Sequence, residues 1–101
     1  MSQVNTPVLD SLVQMNEGSL ERSGLDPESL MLVRIAALAA TGAPPASYLV
    51  NLELASELGL TAEQVQGVLI GIAPVIGSAR VAAAGSSIAQ SLGLATAIAE
   101  E

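Results

Sequence analysis

The 101-residue chain contains no cysteine, no histidine and no lysine. Without cysteine it forms no disulfide, offers no thiolate nucleophile and supplies no thiolate ligand to a metal. Without histidine it lacks the side chain whose ordinary pKa suits proton transfer near neutral pH. Carboxylates, three arginines, one tyrosine and hydroxyls remain as reactive groups. We therefore expect no metal site and no bound cofactor.

Positive charge is also scarce, because three arginines face ten acidic residues and the net charge is −7. Nucleic-acid binding depends on cations that neutralise phosphates, and anionic membrane surfaces attract basic proteins. Residues 81–99 are uncharged and nearly long enough to span a bilayer, but they include several polar side chains. We expect neither a nucleic-acid nor a membrane partner. The N-terminal segment shows no secretory pattern, which favours a cytoplasmic location.

Large aromatic side chains are almost absent, with no Phe, no Trp and one Tyr. Half of the residues are hydrophobic, but 17 are alanine and nine are glycine. Small aliphatic side chains give each helix little apolar area to bury. The length of the chain predicts a single domain over residues 1–101. The small apolar area predicts a homo-oligomer, in which a second copy supplies part of the core.

Helical spacing of apolar residues runs through almost the whole chain, and no segment alternates as a strand would. Helix starts are predicted at Thr6-Pro7, at Asp26-Pro27, near Pro45, at the capping-box sequence beginning at Thr61, and at Gly77-Ser78. The second helix is apolar nearly all round, as a central helix would be. The expected fold is a small all-α domain of five to six helices.

Glycine and proline mark the expected helix ends and breaks. Gly42 and Gly59 are expected to close the second and third helices, and Pro74 to kink or end the fourth. The segment Asn16–Gly18 is expected to weaken the first helix, and Gly93 is expected to interrupt the last one.

Three side chains could bind or activate a small molecule. Arg34 and Arg80 could each anchor an anionic substrate, but a structural ion pair is the preferred interpretation for both, because a charge among apolar residues needs a partner. Glu53 and Glu57, four residues apart on the third helix, are candidate partners of Arg34, or else part of a solvated face. Tyr48 could act as a general acid. A core tyrosine with its hydroxyl at an edge is the preferred alternative.

The segments LVRIAALAATG, ELGLTAEQV and VLIGIAPVIGSARVAAA, in this order, resemble the carboxymuconolactone decarboxylase family, which includes the alkylhydroperoxidase D-like proteins. The resemblance covers residues 25–92. It rests on Arg34 before an Ile-Ala-Ala run, on Gly59-Leu60-Thr61, and on Gly77 before the last helix. It implies an all-α, alkylhydroperoxidase D-like fold and a closely packed homo-oligomer, a trimer or hexamer.

The same resemblance assigns the family's active-site positions to one stretch of this chain. In the thiol-active branch a Cys-x-x-Cys motif precedes a His, and these positions correspond here to Pro44, Ser47 and Asn51. None of the three residues matches. Peroxidase chemistry needs a thiolate, so the resemblance implies a member without that activity. Asn51 in the histidine position also argues against the decarboxylase activity, because an amide does not shuttle protons near neutral pH.

Two functional hypotheses from different classes follow. The first is a non-peroxidase oligomeric scaffold or small-ligand-binding protein, or a subunit that binds a protein partner carrying the missing groups. The alternative is a divergent enzyme acting on a small carboxylate or lactone. Its catalytic candidates are Asn51, Ser47 and Tyr48, and its substrate-binding candidates are Arg34 and Arg80. The enzyme hypothesis predicts a pocket beside Asn51 that contains an arginine or an acid.

Overall fold

A computed structural model describes the backbone of residues 6–100 and the side chains of residues 7–93. Five helices follow one another: α1 (Thr6–Arg22), α2 (Pro27–Thr41), α3 (Pro45–Glu57), α4 (Ala62–Ile76) and α5 (Ser78–Glu100). No strand occurs within residues 6–100. The all-α prediction is confirmed, with five helices.

Both ends of α2 have the caps that the sequence predicts. The Asp26 carboxylate accepts a hydrogen bond from the backbone N–H of Ser29 at 2.8 Å, and Pro27 occupies the first helical position. At the other end Gly42 adopts a left-handed conformation with φ 72°. Its N–H and that of Ala43 bond the last carbonyls of the helix, which otherwise lack partners. Local capping chemistry therefore sets the length of α2.

The capping box of α4 is also present. The backbone N–H of Gln64 donates to the Thr61 hydroxyl at 3.1 Å, and the Gln64 side chain accepts from the Thr61 N–H at 2.8 Å. Pro74 lies inside α4, which continues to Ile76 before Gly77 separates it from α5. The proline therefore stands in the last turn of α4.

Two expected interruptions do not break their helices. α1 runs without a break through Gly18 to Arg22, and α5 runs through Gly93. A glycine inside a helix costs about 0.5–1 kcal/mol relative to alanine, which a longer helix tolerates. Both glycines therefore lower helix stability without ending the helix.

The core forms around α2, which packs against α3, α4 and α5, while α5 also packs against α3 and α4. Met31, Ile35 and Ala55 form its centre. Partly buried aliphatic side chains surround this centre: Leu52, Leu54, Leu60, Val65 and Val68. The prediction of α2 as the central helix is confirmed. The part of α3 that follows Tyr48 packs against this core through Leu52, Leu54 and Ala55.

By contrast, α1 does not pack along any other helix. No residue from 7 to 22 is fully buried. Within the described part of the chain, no helix is long and apolar enough to cross a membrane.

Candidate functional site

Ser47 and Asn51 lie on one face of α3, one turn apart, as their spacing predicts. Ser47 is exposed and Asn51 is half-buried. The Asn51 amide donates a hydrogen bond to the backbone carbonyl of Ser47 at 3.1 Å. Pro44 precedes them as the N-cap residue of α3 and makes no side-chain capping bond. The amide is thus bonded to its own helix, and its side-chain oxygen accepts no hydrogen bond within residues 7–93.

Tyr48, next to Ser47 on α3, is fully buried. Its hydroxyl is buried too and has no hydrogen-bond partner among the described residues. The expectation that this hydroxyl lies at an edge is therefore wrong. Burial raises the pKa of Tyr48 above its ordinary 10.0, because the charged phenolate loses solvation. The side chain stays neutral at physiological pH and can donate a hydrogen bond or accept one.

Arg34 joins α2 to α1. Its guanidinium donates to the side-chain oxygen of Asn16, to the Asn16 backbone carbonyl at 3.4 Å and to the Ser19 hydroxyl at 2.9 Å. These partners are neutral, and neither Glu53 nor Glu57, both exposed on α3, bonds it. The ion pair preferred from the sequence is therefore wrong within residues 7–93, where Arg34 bonds neutral groups of α1 instead of a carboxylate.

Arg80 joins the first turn of α5 to the end of α2. Its guanidinium donates to the backbone carbonyl of Ala40 at 3.0 Å. This carbonyl lies in the last turn of α2, where carbonyls lack intrahelical partners and carry the negative end of the helix dipole. Arg80 therefore stabilises the α2 terminus.

The five candidate residues do not form one hydrogen-bonded cluster. Within residues 7–93, no hydrogen bond joins either arginine to Ser47, Tyr48 or Asn51. In the same part of the chain, no group of three acidic side chains is placed to hold a metal ion. The sequence-predicted site residues are thus divided among the start of α3, the α1–α2 contact and the α2–α5 contact.

A pocket of about 420 Å³ lies between α3, α4 and α5. Aliphatic and small side chains dominate its lining: Leu52, Ala55, Leu60, Ala62, Val65, Leu69, Gly85, Ile88, Ala89 and Leu92. Ser56, Thr61 and Gln66 add polar groups, and no charged residue lines the pocket. Its volume falls within the range of small-molecule sites. The α3–α5 pocket is therefore suited to an uncharged, mainly aliphatic molecule.

None of the five candidates lines the α3–α5 pocket. Its nearest lining residue along α3 is Leu52, directly after Asn51 and on a different helical face. Sequence reasoning missed this site. The sequence feature that could have indicated the pocket is a pair of small residues, Gly85 and Ala89, one turn apart on α5. Both line the pocket together with Ala55 of α3.

No curated protein and no solved structure matches the chain. The sequence profile of the carboxymuconolactone decarboxylase family matches residues 6–90. The match begins at the first residue of α1 and ends within α5, so it includes the α3–α5 pocket almost entirely. The chain belongs to the carboxymuconolactone decarboxylase family.

Proposed function

We propose that this protein is a non-peroxidase member of the family that forms a homo-oligomeric scaffold and binds a small ligand. The observation that carries the proposal is the start of α3. Pro44, Ser47 and Asn51 stand where the resemblance places the reactive residues, and the Asn51 amide is bonded back to the Ser47 carbonyl. The chain has no thiol and no imidazole at any position.

The absence of a thiol makes the first part of the proposal directly testable. Hydroperoxide reduction by the family's thiol chemistry needs a thiolate. The purified protein should therefore reduce no hydroperoxide when a dithiol is supplied. Turnover above that of a protein-free blank would contradict the proposal.

The α3–α5 pocket supports the ligand-binding part. An uncharged, aliphatic lining favours a neutral ligand, because burying a carboxylate without a cation is costly. The hydroxyl of Ser56 and the amide of Gln66 make no hydrogen bond within the described residues and could orient one polar group of the ligand. A lactone with a short alkyl chain has this chemistry.

Gly85→Leu tests the pocket. The position of its β-carbon meets no atom within 4 Å, so a leucine adds bulk to the pocket lining without a backbone clash. Gly67→Leu is the matched control, because Gly67 is equally free of neighbours and does not line the pocket. Both changes replace glycine by leucine inside a helix and gain similar helix propensity.

The experiment compares γ-octalactone with octanoate by thermal shift. A ligand that binds only the folded state raises its apparent stability. The lactone should raise the melting temperature of the wild type and of Gly67→Leu, and raise that of Gly85→Leu much less. A larger shift with octanoate, or an undiminished shift in Gly85→Leu, would contradict binding of a neutral ligand in this pocket.

The divergent-enzyme alternative is supported by one observation, the buried Tyr48 hydroxyl, which has no hydrogen-bond partner within residues 7–93. A buried hydroxyl that lacks a hydrogen bond costs about 1–3 kcal/mol and is a candidate to bind a substrate atom. Under this alternative, Ser47 and Asn51 position a small carboxylate or lactone, and Arg34 or Arg80 binds its anionic group. Lactone hydrolysis that is abolished in Tyr48→Phe while folding is retained would favour the enzyme.

A further inference from the structure

Arg34 is a half-buried cation that has no counter-ion within residues 7–93. Its hydrogen bonds reach only neutral acceptors, which are the side-chain oxygen and backbone carbonyl of Asn16 and the hydroxyl of Ser19. The sequence contains ten acidic residues, and none in the described part of the chain bonds this guanidinium. Because a charge removed from water needs an opposite charge nearby, the α1–α2 contact can accept an anion.

The two side chains that bond Arg34 also have hydrogen-bond donors to spare. Asn16 accepts through its side-chain oxygen, which leaves the N–H groups of its amide without an acceptor among the described residues. Ser19 accepts through its hydroxyl oxygen, and its O–H likewise has no acceptor there. Carboxylates only accept hydrogen bonds, whereas these groups can all donate. The cluster of Arg34, Asn16 and Ser19 therefore has the chemistry of a carboxylate site.

An open groove of about 560 Å³ along α1 adjoins this cluster. Its described lining belongs to one face of α1: Ser11, Gln14, Met15, Gly18, Ser19 and Arg22. Ser19 belongs to both the groove and the cluster, and Arg22 follows it by one helical turn. Arg22 makes no hydrogen bond or ion pair with any residue from 7 to 93. The α1 groove therefore places a second unpaired cation close to Arg34.

The distribution of charge limits what the α1 groove can bind. Two of the three arginines of the chain lie here. At 100° per residue, the three acids of α1 fall on another side of the helix: Asp10, Glu17 and Glu21. The net charge of −7 disfavours a large polyanion, so the ligand is a small molecule. Because a planar guanidinium matches a carboxylate, two arginines suit a molecule that carries two carboxylates.

We propose that the α1 groove, together with Arg34, binds a small dicarboxylate that fastens α1 to α2. One carboxylate bonds Arg34 and Ser19, and the other bonds Arg22. The site shares no residue with the α3–α5 pocket, so it does not depend on the proposed function. Since α1 packs along no other helix and charge-assisted hydrogen bonds are stronger than neutral ones, the bound anion controls how firmly α1 is held.

The test is amide hydrogen exchange of the full chain with succinate, compared with its neutral analogue succinamide at equal ionic strength. Titration calorimetry first measures the dissociation constant of succinate. At ten times that concentration, succinate should slow exchange within residues 6–22 about tenfold, because the ligand binds only the docked helix. Exchange in α4 should not change, and succinamide should have no effect. Equal slowing by succinamide, or no heat of binding with succinate, would overturn the proposal.

Substitutions of the three arginines assign the effect to residues. Each variant is compared with and without succinate, which separates ligand binding from a change in exchange caused by the substitution itself. Arg34→Met should abolish the slowing, and Arg22→Met should reduce it while the Arg34 bonds to α1 remain. Arg80→Met is the matched control and should keep the full effect, since Arg80 bonds the Ala40 carbonyl instead.

The same measurements can contradict the site in three ways. Undiminished slowing in Arg34→Met would overturn the proposal, and undiminished slowing in Arg22→Met would overturn the assignment to the α1 groove. Faster exchange of α1 with succinate in the wild type would also overturn it, because the anion would then displace Asn16 and Ser19 from Arg34 and release the helix.

Discussion

α1 and α2 are helices of similar length, 17 and 15 residues, with opposite relations to the rest of the molecule. α2 is capped at both ends and contributes Leu30, Met31, Ile35 and Ala39 to the buried core. α1 buries none of its residues from 7 to 22. Apolar residues at helical spacing predict both helices equally well. The comparison shows that such spacing predicts a helix but does not say whether its apolar face packs within the same chain.

The largest effect should come from truncating one core residue in α2. Ile35 is fully buried between Met31 and Ala55. Ile35→Ala should lower the free energy of unfolding by about 2–5 kcal/mol, because it removes buried methylenes and leaves a cavity. Urea denaturation followed by circular dichroism measures this loss.

The matched truncation in α1 is Leu12→Ala, at a residue that is 53 % exposed. At protein concentrations too low for assembly, it should change the free energy of unfolding by only about 0.5 kcal/mol. A loss as large as that of Ile35→Ala in the dilute monomer would show that α1 packs within its own chain. The contrast between the two helices would then be wrong.

Helix ends were the most predictable features from the sequence because capping is a local interaction. Asp26, Gly42 and the Thr61–Gln64 box act within three or four residues of the helix terminus that each one completes. Their residue types allow few other roles at these positions. The predicted helix boundaries therefore agree with the structure to within about a residue where such caps occur.

The candidate site was less predictable because its properties depend on packing between distant segments. Arg34 bonds α1 residues 15 and 18 positions away, and no local pattern indicates this contact. The buried state of the Tyr48 hydroxyl and the α3–α5 pocket likewise depend on how three helices meet. The exclusion of thiol chemistry, by contrast, needs no packing information, since it rests only on the absence of cysteine from the sequence.

Two glycine-to-alanine substitutions, one at the end of α2 and one within α1, should change stability in opposite directions. Gly42 has φ 72°, and its β-carbon would stand 3.3 Å from a guanidinium nitrogen of Arg80. Gly42→Ala should therefore destabilise the protein by about 1–2 kcal/mol. Gly18 is helical with no neighbour within 4 Å, so Gly18→Ala should stabilise α1 locally by about 0.5–1 kcal/mol.

Thermal denaturation measures the stability loss in Gly42→Ala. Amide hydrogen exchange of residues 6–22 measures the local stabilisation in Gly18→Ala. Because α1 is not packed on the core, the Gly18→Ala gain should slow exchange in α1 and leave the rest of the chain unchanged. Slower exchange throughout the protein would show that α1 unfolds together with α2.

Two arginine substitutions separate the contacts made by α1 and α2. Arg34→Met removes the three hydrogen bonds to Asn16 and Ser19, and it should speed amide exchange mainly within α1. Arg80→Met, the matched control, removes the bond to the Ala40 carbonyl and should affect the α2 terminus instead. Exchange measured by mass spectrometry on peptides from each helix distinguishes the two patterns. Similar exchange in both variants would mean that Arg34 does not hold α1.

The smallest expected effect is the pH dependence of the α2 cap. Hydrogen bonds from the Ser29 hydroxyl and backbone N–H lower the pKa of Asp26 below its ordinary 3.8. A carboxylate with a lowered pKa in the folded state stabilises it above the ordinary pKa, and this contribution is lost as pH falls through the lowered value. Asp26→Asn keeps a capping oxygen that does not titrate, so its stability should decline less than that of the wild type between pH 4 and pH 2. An Asp26→Asn curve identical to that of the wild type would mean that the charge of the Asp26 carboxylate does not stabilise the start of α2.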